Sequence, residues 1–148
     1  MTAKEFVGHE KEVSYMRRIV LASHHRFAAG LADTLKFLGC KDDLDVICAY
    51  VDDQPLAPQV EELFSDFAPE DEVLVLTDIL QGSVNQAFVP YVGPHVFLVA
   101  GTNAALAFEL ALKPGPLSIE AIEESVELAR QSMKLINTIQ VEDGEDDE

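Results

Sequence analysis

Residues 18–39 read RIVLASHHRFAAGLADTLKFLG, and the change of period inside that stretch decides the fold. Arg18 to Ala22 is a short apolar run rich in β-branched residues, the pattern of a buried strand. The apolar residues that follow, Phe27, Leu31, Leu35 and Leu38, fall at i, i+4, i+8 and i+11, along one side of a helix that stops at Gly39. A strand that hands over to a helix through a few polar residues is half of a βαβ unit.

The unit recurs. Asp45 to Val51, Glu72 to Thr77 and His95 to Ala100 are three further runs, each expected to be a strand buried on both faces. Between and after them, Gln54 to Phe67, Ser83 to Val89 and Asn103 to Leu112 carry helical spacing, and Lys113-Pro114-Gly115-Pro116 closes the last. The alternation predicts an α/β fold: a doubly wound, mainly parallel four-stranded sheet with helices on both faces and right-handed crossovers, in the common order 2-1-3-4. Beyond the Pro-Gly break, Ile119, Ile122, Val126, Ala129, Met133 and Ile136 repeat at alternating three and four with Ser118 as N-cap, which predicts one long amphipathic helix.

The chain has 148 residues, one domain's worth, and 48% of them are hydrophobic. Its formal net charge is −17, and six acids stand in the last seven residues, Glu142 to Glu148. Residues 1–16 read as a polar leader, 17–141 as the domain and 142–148 as a solvated acidic tail. Without the tail, 21 acids still face ten bases, which argues against nucleic acid and anionic membranes as partners. No apolar run reaches membrane-spanning length and the leader lacks a signal-peptide apolar region, so the expected location is the cytoplasm. Cys40 and Cys48 form no CxxC pair and are expected to be reduced thiols.

In the order 2-1-3-4 the first and third strands are neighbours, and the polar groups at their carboxyl ends face each other across a crevice. Those groups are Ser23-His24-His25 and the segment from Asp78 through Gln81-Gly82-Ser83 to Asn85. A carboxylate that accepts from one imidazole nitrogen fixes the tautomer and leaves the other nitrogen nucleophilic. Gly82-Ser83 at a helix start adds backbone N–H groups and a hydroxyl that suit a phosphoryl group. His24 or His25, with Asp78 and Ser83, thus forms a candidate site for phosphate on imidazole. Other chemistries lack their residues: there is no acidic pair after the first strand, no GxGxxG, no GxSxG, and no spacing of a recognised metal motif. No cofactor or metal is expected; His95, at the start of an apolar run, reads as structural, and His9 has no clear role.

These residues resemble the IIA component of the mannose-type phosphotransferase system, over roughly Arg17 to Thr138. The family has a strand ending in Ser/Thr-His-Gly, then Asp, two residues, Gly-Gly-Ser, Pro, one residue and Asn, and a Gly-x-Asn after the fourth strand. Here the matching segments are Ser23-His24-His25, Asp78 to Ser83 with Asn85 one place early, and Gly101-Thr102-Asn103. His25 and Gln81 stand where the family has glycine. Register with the motif assigns the active histidine to His24, its partner to Asp78, and phosphoryl binding to Gly82 and Ser83.

The resemblance implies a phosphotransferase with a phosphohistidine intermediate and no cofactor. The histidine would accept the phosphoryl group of the histidine carrier HPr and pass it to a IIB component for sugar uptake. It also implies a homodimer, in which Asn137 to Val141 is the candidate for a fifth, antiparallel strand exchanged between subunits. Two alternatives stay open: the phosphocarrier subunit of dihydroxyacetone kinase, and a regulatory module of the same fold that binds partners without carrying phosphate.

Overall fold

A computed structural model describes residues 17–139. The chain runs through β1 (Arg17–His24), α1 (Phe27–Phe37), β2 (Leu44–Ala49), α2 (Leu56–Ser65), β3 (Glu72–Thr77), α3 (Ser83–Phe88), β4 (Val96–Val99), α4 (Ala104–Ala111) and α5 (Ile119–Arg130), with 3-10 turns at Val89–Tyr91 and Ile136–Thr138. The four strands are parallel and lie in the order β2-β1-β3-β4.

The pleat sorts the apolar residues into two layers. Ile19 and Leu21 of β1, with Leu74 and Leu76 of β3, face α1, α4 and α5 through Leu31, Leu35, Leu106, Leu110 and Ile122. Val20 and Ala22, with Val73 and Val75, face α2 and α3 through Val60, Val84 and Phe88. Helices on both faces follow from this alternation of large apolar residues along the central strands.

Burial on both faces holds for the central strands β1 and β3. The edge strands β2 and β4 are half-buried, because a strand with one neighbour keeps a flank in solvent. The long helix expected to reach Ile136 stops at Arg130. Ala129 is its last buried residue, while Met133 and Ile136 are 72% and 70% exposed, so a longer helix would order residues without burying them. The Ser132 hydroxyl donates to the Ala129 carbonyl at 2.7 Å and competes with continuation of the helix. Asn137 and Thr138, expected in an exchanged strand, lie in a 3-10 turn and Ile139 closes it; residues 140 and 141 of that segment, the leader 1–16 and the acidic tail fall outside the described residues.

A clamp at the far end from the candidate site ties α5 to the sheet. The Arg17 Nε donates to Glu72 Oε1 at 2.9 Å, with side chains 16% and 5% exposed. The same guanidinium donates to the carbonyls of Lys113 (2.6 Å) and Gly115, and Glu72 Oε2 accepts from the Leu117 N–H at 2.6 Å. One buried ion pair thus joins β1, β3 and the Pro-Gly connection. Glu72→Gln keeps the shape but strips the counter-charge from Arg17, and is expected to lower stability by about 2 kcal/mol in denaturant titration.

Candidate functional site

The chain leaves β1 toward β2 on one side and reaches β4 from β3 on the other, so a crevice opens between the carboxyl ends of β1 and β3. Ala22 pairs with Thr77, which sets His24 beside Asp78. Asp78 Oδ2 accepts from the His24 backbone N–H at 2.8 Å and lies 3.0 Å from His24 Nδ1. Its Oδ1 accepts from the Ile79 N–H at 3.0 Å. A carboxylate can only accept, so Nδ1 carries the proton and Nε2 presents its lone pair. Burial pushes the Asp78 carboxyl upward, but hydrogen bonds from the His24 backbone, the His24 ring and its own backbone, with the imidazole charge, outweigh it and hold the group below its ordinary value.

Nε2 faces the start of α3, where Ser83 Oγ stands 3.5 Å away. Gly82 eases that approach: a Cβ built on it would lie 3.3 Å from His24 Cε1 and 3.2 Å from the Ile79 carbonyl oxygen, close enough that the ring would have to give by a few tenths of an ångström. The four residues read from the sequence as the site, His24, Asp78, Gly82 and Ser83, therefore come together in space. The imidazole is partly open to solvent, with 38% of the side chain exposed.

The neighbouring polar residues separate into scaffold and site. Buried Ser23 accepts from the Ala28 N–H at 2.7 Å and donates to the His25 carbonyl at 3.0 Å, fixing the turn into α1. Asn85 is buried and accepts from the Thr77 hydroxyl at 2.8 Å, and Asn103 caps α4 by accepting from Leu106 N–H at 2.8 Å. Asn85 thus ties α3 to the end of β3, while Asn103 closes the first turn of its own helix. His95 gives its carbonyl to the Val73 N–H at the start of β4, away from the crevice, and His9 lies outside the described residues.

Three residues around the crevice hold the left-handed backbone conformation that favours glycine: His25 (φ 54°), Tyr50 (φ 69°) and Gln81 (φ 65°). His25 and Gln81 are the two positions where a glycine was expected, and each keeps the glycine-like backbone with a side chain in place. The His25 N–H donates to the Ala49 carbonyl at 2.8 Å, which draws the ends of β1 and β2 together.

That closure brings in Tyr50, which the run Asp45 to Val51 predicts as a strand residue but which lies in the turn just past β2. Its hydroxyl lies 2.6 Å from Ser83 Oγ, and its ring centroid 5.6 Å from that of His24. The signal was available in the strand order: β2 flanks β1, and a residue just past its carboxyl end must border the same crevice.

A family model described as the PTS system fructose IIA component, EIIA-man, matches residues 18–127. Among solved structures, the chain is similar to a Klebsiella pneumoniae protein named as a phosphoenolpyruvate-dependent sugar phosphotransferase system permease. The two are 35% identical over 83% of this chain and 93% of that one, with a TM-score of 0.77. It is also similar to the PTS IIA protein associated with the fucose utilization operon of Streptococcus pneumoniae, 25% identical over 83% and 95% of the two chains, TM-score 0.65. The mannose/sorbose specific IIA subunit from Enterococcus faecalis shares the fold at 19% identity, covering 85% and 98%, TM-score 0.71. No curated protein matches the chain.

Proposed function

The chain belongs to the EIIA-man family of PTS IIA components, and from that premise we propose that it is a phosphocarrier with His24 as the phosphorylated residue. The family consists of phosphotransfer proteins. The observation that carries it is the His24 ring held by Asp78 through Nδ1, with Nε2 turned toward Ser83.

In the reaction, the Nε2 lone pair attacks the phosphorus of phospho-HPr. The donor's P–N bond breaks, its electron pair returns to the donor imidazole, and a new N–P bond forms on His24. Because Nδ1 keeps its proton, the product ring is a phosphoimidazolium, and the Asp78 carboxylate offsets its positive charge. The Ser83 hydroxyl, with the backbone at Gly82 and Ser83, meets the phosphoryl oxygens. Transfer to a IIB component runs the same displacement outward, toward sugar import.

We assign the IIA-type domain to residues 17–141 and the cytoplasm as its location; no helix among the described residues is long and apolar enough to cross a membrane. Incubation with radiolabelled phosphoenolpyruvate, enzyme I and HPr tests the reading. Label on the chain, discharged by a IIB component, supports it; an unlabelled chain that still binds HPr would make it a regulatory module instead.

A homodimer belongs to the same proposal. Ile79 and Leu80 beside the crevice are 55% and 70% exposed, and Leu135 and Ile136 past α5 are 64% and 70% exposed, more apolar surface than an isolated subunit gains by showing. Sedimentation at low micromolar concentration is expected to give a dimer; a monomer alone would remove this element.

A further inference from the structure

We infer that Tyr50 is a positioning residue for phosphoryl transfer, acting on His24 through Ser83; this rests on the phosphocarrier reading above. The direction of the hydrogen bonds carries the argument. Asp78 fixes the proton on His24 Nδ1, so Nε2 is an acceptor, 3.5 Å from Ser83 Oγ. Ser83 has one hydroxyl proton and two neighbours competing for it, Nε2 and the Tyr50 oxygen at 2.6 Å.

If Ser83 gave its proton to Tyr50, it would turn a lone pair toward Nε2 and toward the phosphoryl oxygens that arrive there. The phenol is much the stronger acid of the two hydroxyls and therefore the better donor. Tyr50 thus donates to Ser83, and the Ser83 proton is aimed at Nε2 in the free protein and at a phosphoryl oxygen in the phosphorylated one. Tyr50 itself transfers no proton.

The backbone supports a placed rather than incidental side chain. Tyr50 holds φ 69°, a conformation that L side chains adopt at a cost and keep where surroundings impose it. The imposing contact is next to it: the His25 N–H holds the Ala49 carbonyl, fixing the chain where β2 ends. The ring also lies at 49° to the imidazole with centroids 5.6 Å apart, which shields one side of His24.

A double-mutant cycle with Tyr50→Phe and Ser83→Ala tests the inference, read as the rate constant and the KM for phospho-HPr. Phenylalanine keeps the ring and the same backbone, so the melting temperature serves as a check on folding. Tyr50→Phe is expected to slow phosphorylation roughly three- to tenfold with KM unchanged, as loss of one hydrogen bond felt in the transition state. The double variant is expected to be no slower than Ser83→Ala alone, because both changes act through one hydroxyl. A wild-type rate in Tyr50→Phe, a raised KM with an unchanged rate constant, or fully multiplicative effects would each overturn the role while leaving the phosphocarrier reading intact. An unlabelled wild-type chain would overturn both.

Discussion

His24→Ala is expected to abolish phosphorylation, while His25→Ala and His25→Gly both remain labelled. Adjacent residues leaving a strand point to opposite sides, and the contacts divide accordingly: the His24 ring meets Asp78 at 3.0 Å and Ser83 at 3.5 Å. His25 contributes its backbone, a left-handed turn with its N–H on the Ala49 carbonyl. Glycine is the cleaner replacement there, since it adopts positive φ without the roughly 1–2 kcal/mol that an L residue pays. His25→Gly should therefore fold at least as well as the wild type. Label that is acid-labile and base-stable identifies the phosphohistidine, and peptide mapping places it. Label on His25, or its loss only in the double variant, would remove the single-nucleophile assignment.

The turn at His24-His25 shows why one part of the molecule was legible in the sequence and another was not. Strand identity is written in local composition: Glu72 to Thr77 was expected and found with the same limits, since six consecutive buried residues tolerate little else. The crevice followed from strand order, and His24, Asp78, Gly82 and Ser83 meet in it. The end of α5 was not legible. Periodicity continues through Met133 and Ile136, but a helix persists only where its stripe finds something to cover, and Ala129 is the last residue that does. Tyr50 was missed for the opposite reason. Nothing near it in sequence marks it as polar chemistry, and its role depends on a hydroxyl reaching across 33 positions to Ser83. Asn85, in the polar segment after the third strand, and Asn103, in the Gly-x-Asn segment, both spend their oxygen on a strand or helix end.

Asp78→Asn should leave the protein folded and slow phosphoryl transfer by about 10²-fold, on the order of 3 kcal/mol in the barrier. Both carboxylate oxygens accept backbone N–H groups, from His24 at 2.8 Å and Ile79 at 3.0 Å. An amide offers one acceptor oxygen, so one of these N–H groups faces an NH2 instead, costing about 1–2 kcal/mol of stability. The kinetic loss is larger because the charge is gone: the amide can still accept from Nδ1, but it no longer offsets the phosphoimidazolium. Its NH2 can also rotate toward Nδ1 and favour the other tautomer, which blocks Nε2 with a proton. The pH dependence separates the two effects. Since the folded carboxyl titrates below its ordinary 3.8, its stabilising contribution is complete above that value and is lost as pH falls through the lower folded one. The stability gap between wild type and Asp78→Asn should therefore stay constant through neutral and mildly acidic pH and close only in strong acid. A gap that closed near neutrality would trace instead to a histidine, and an unchanged transfer rate would take Asp78 out of the site.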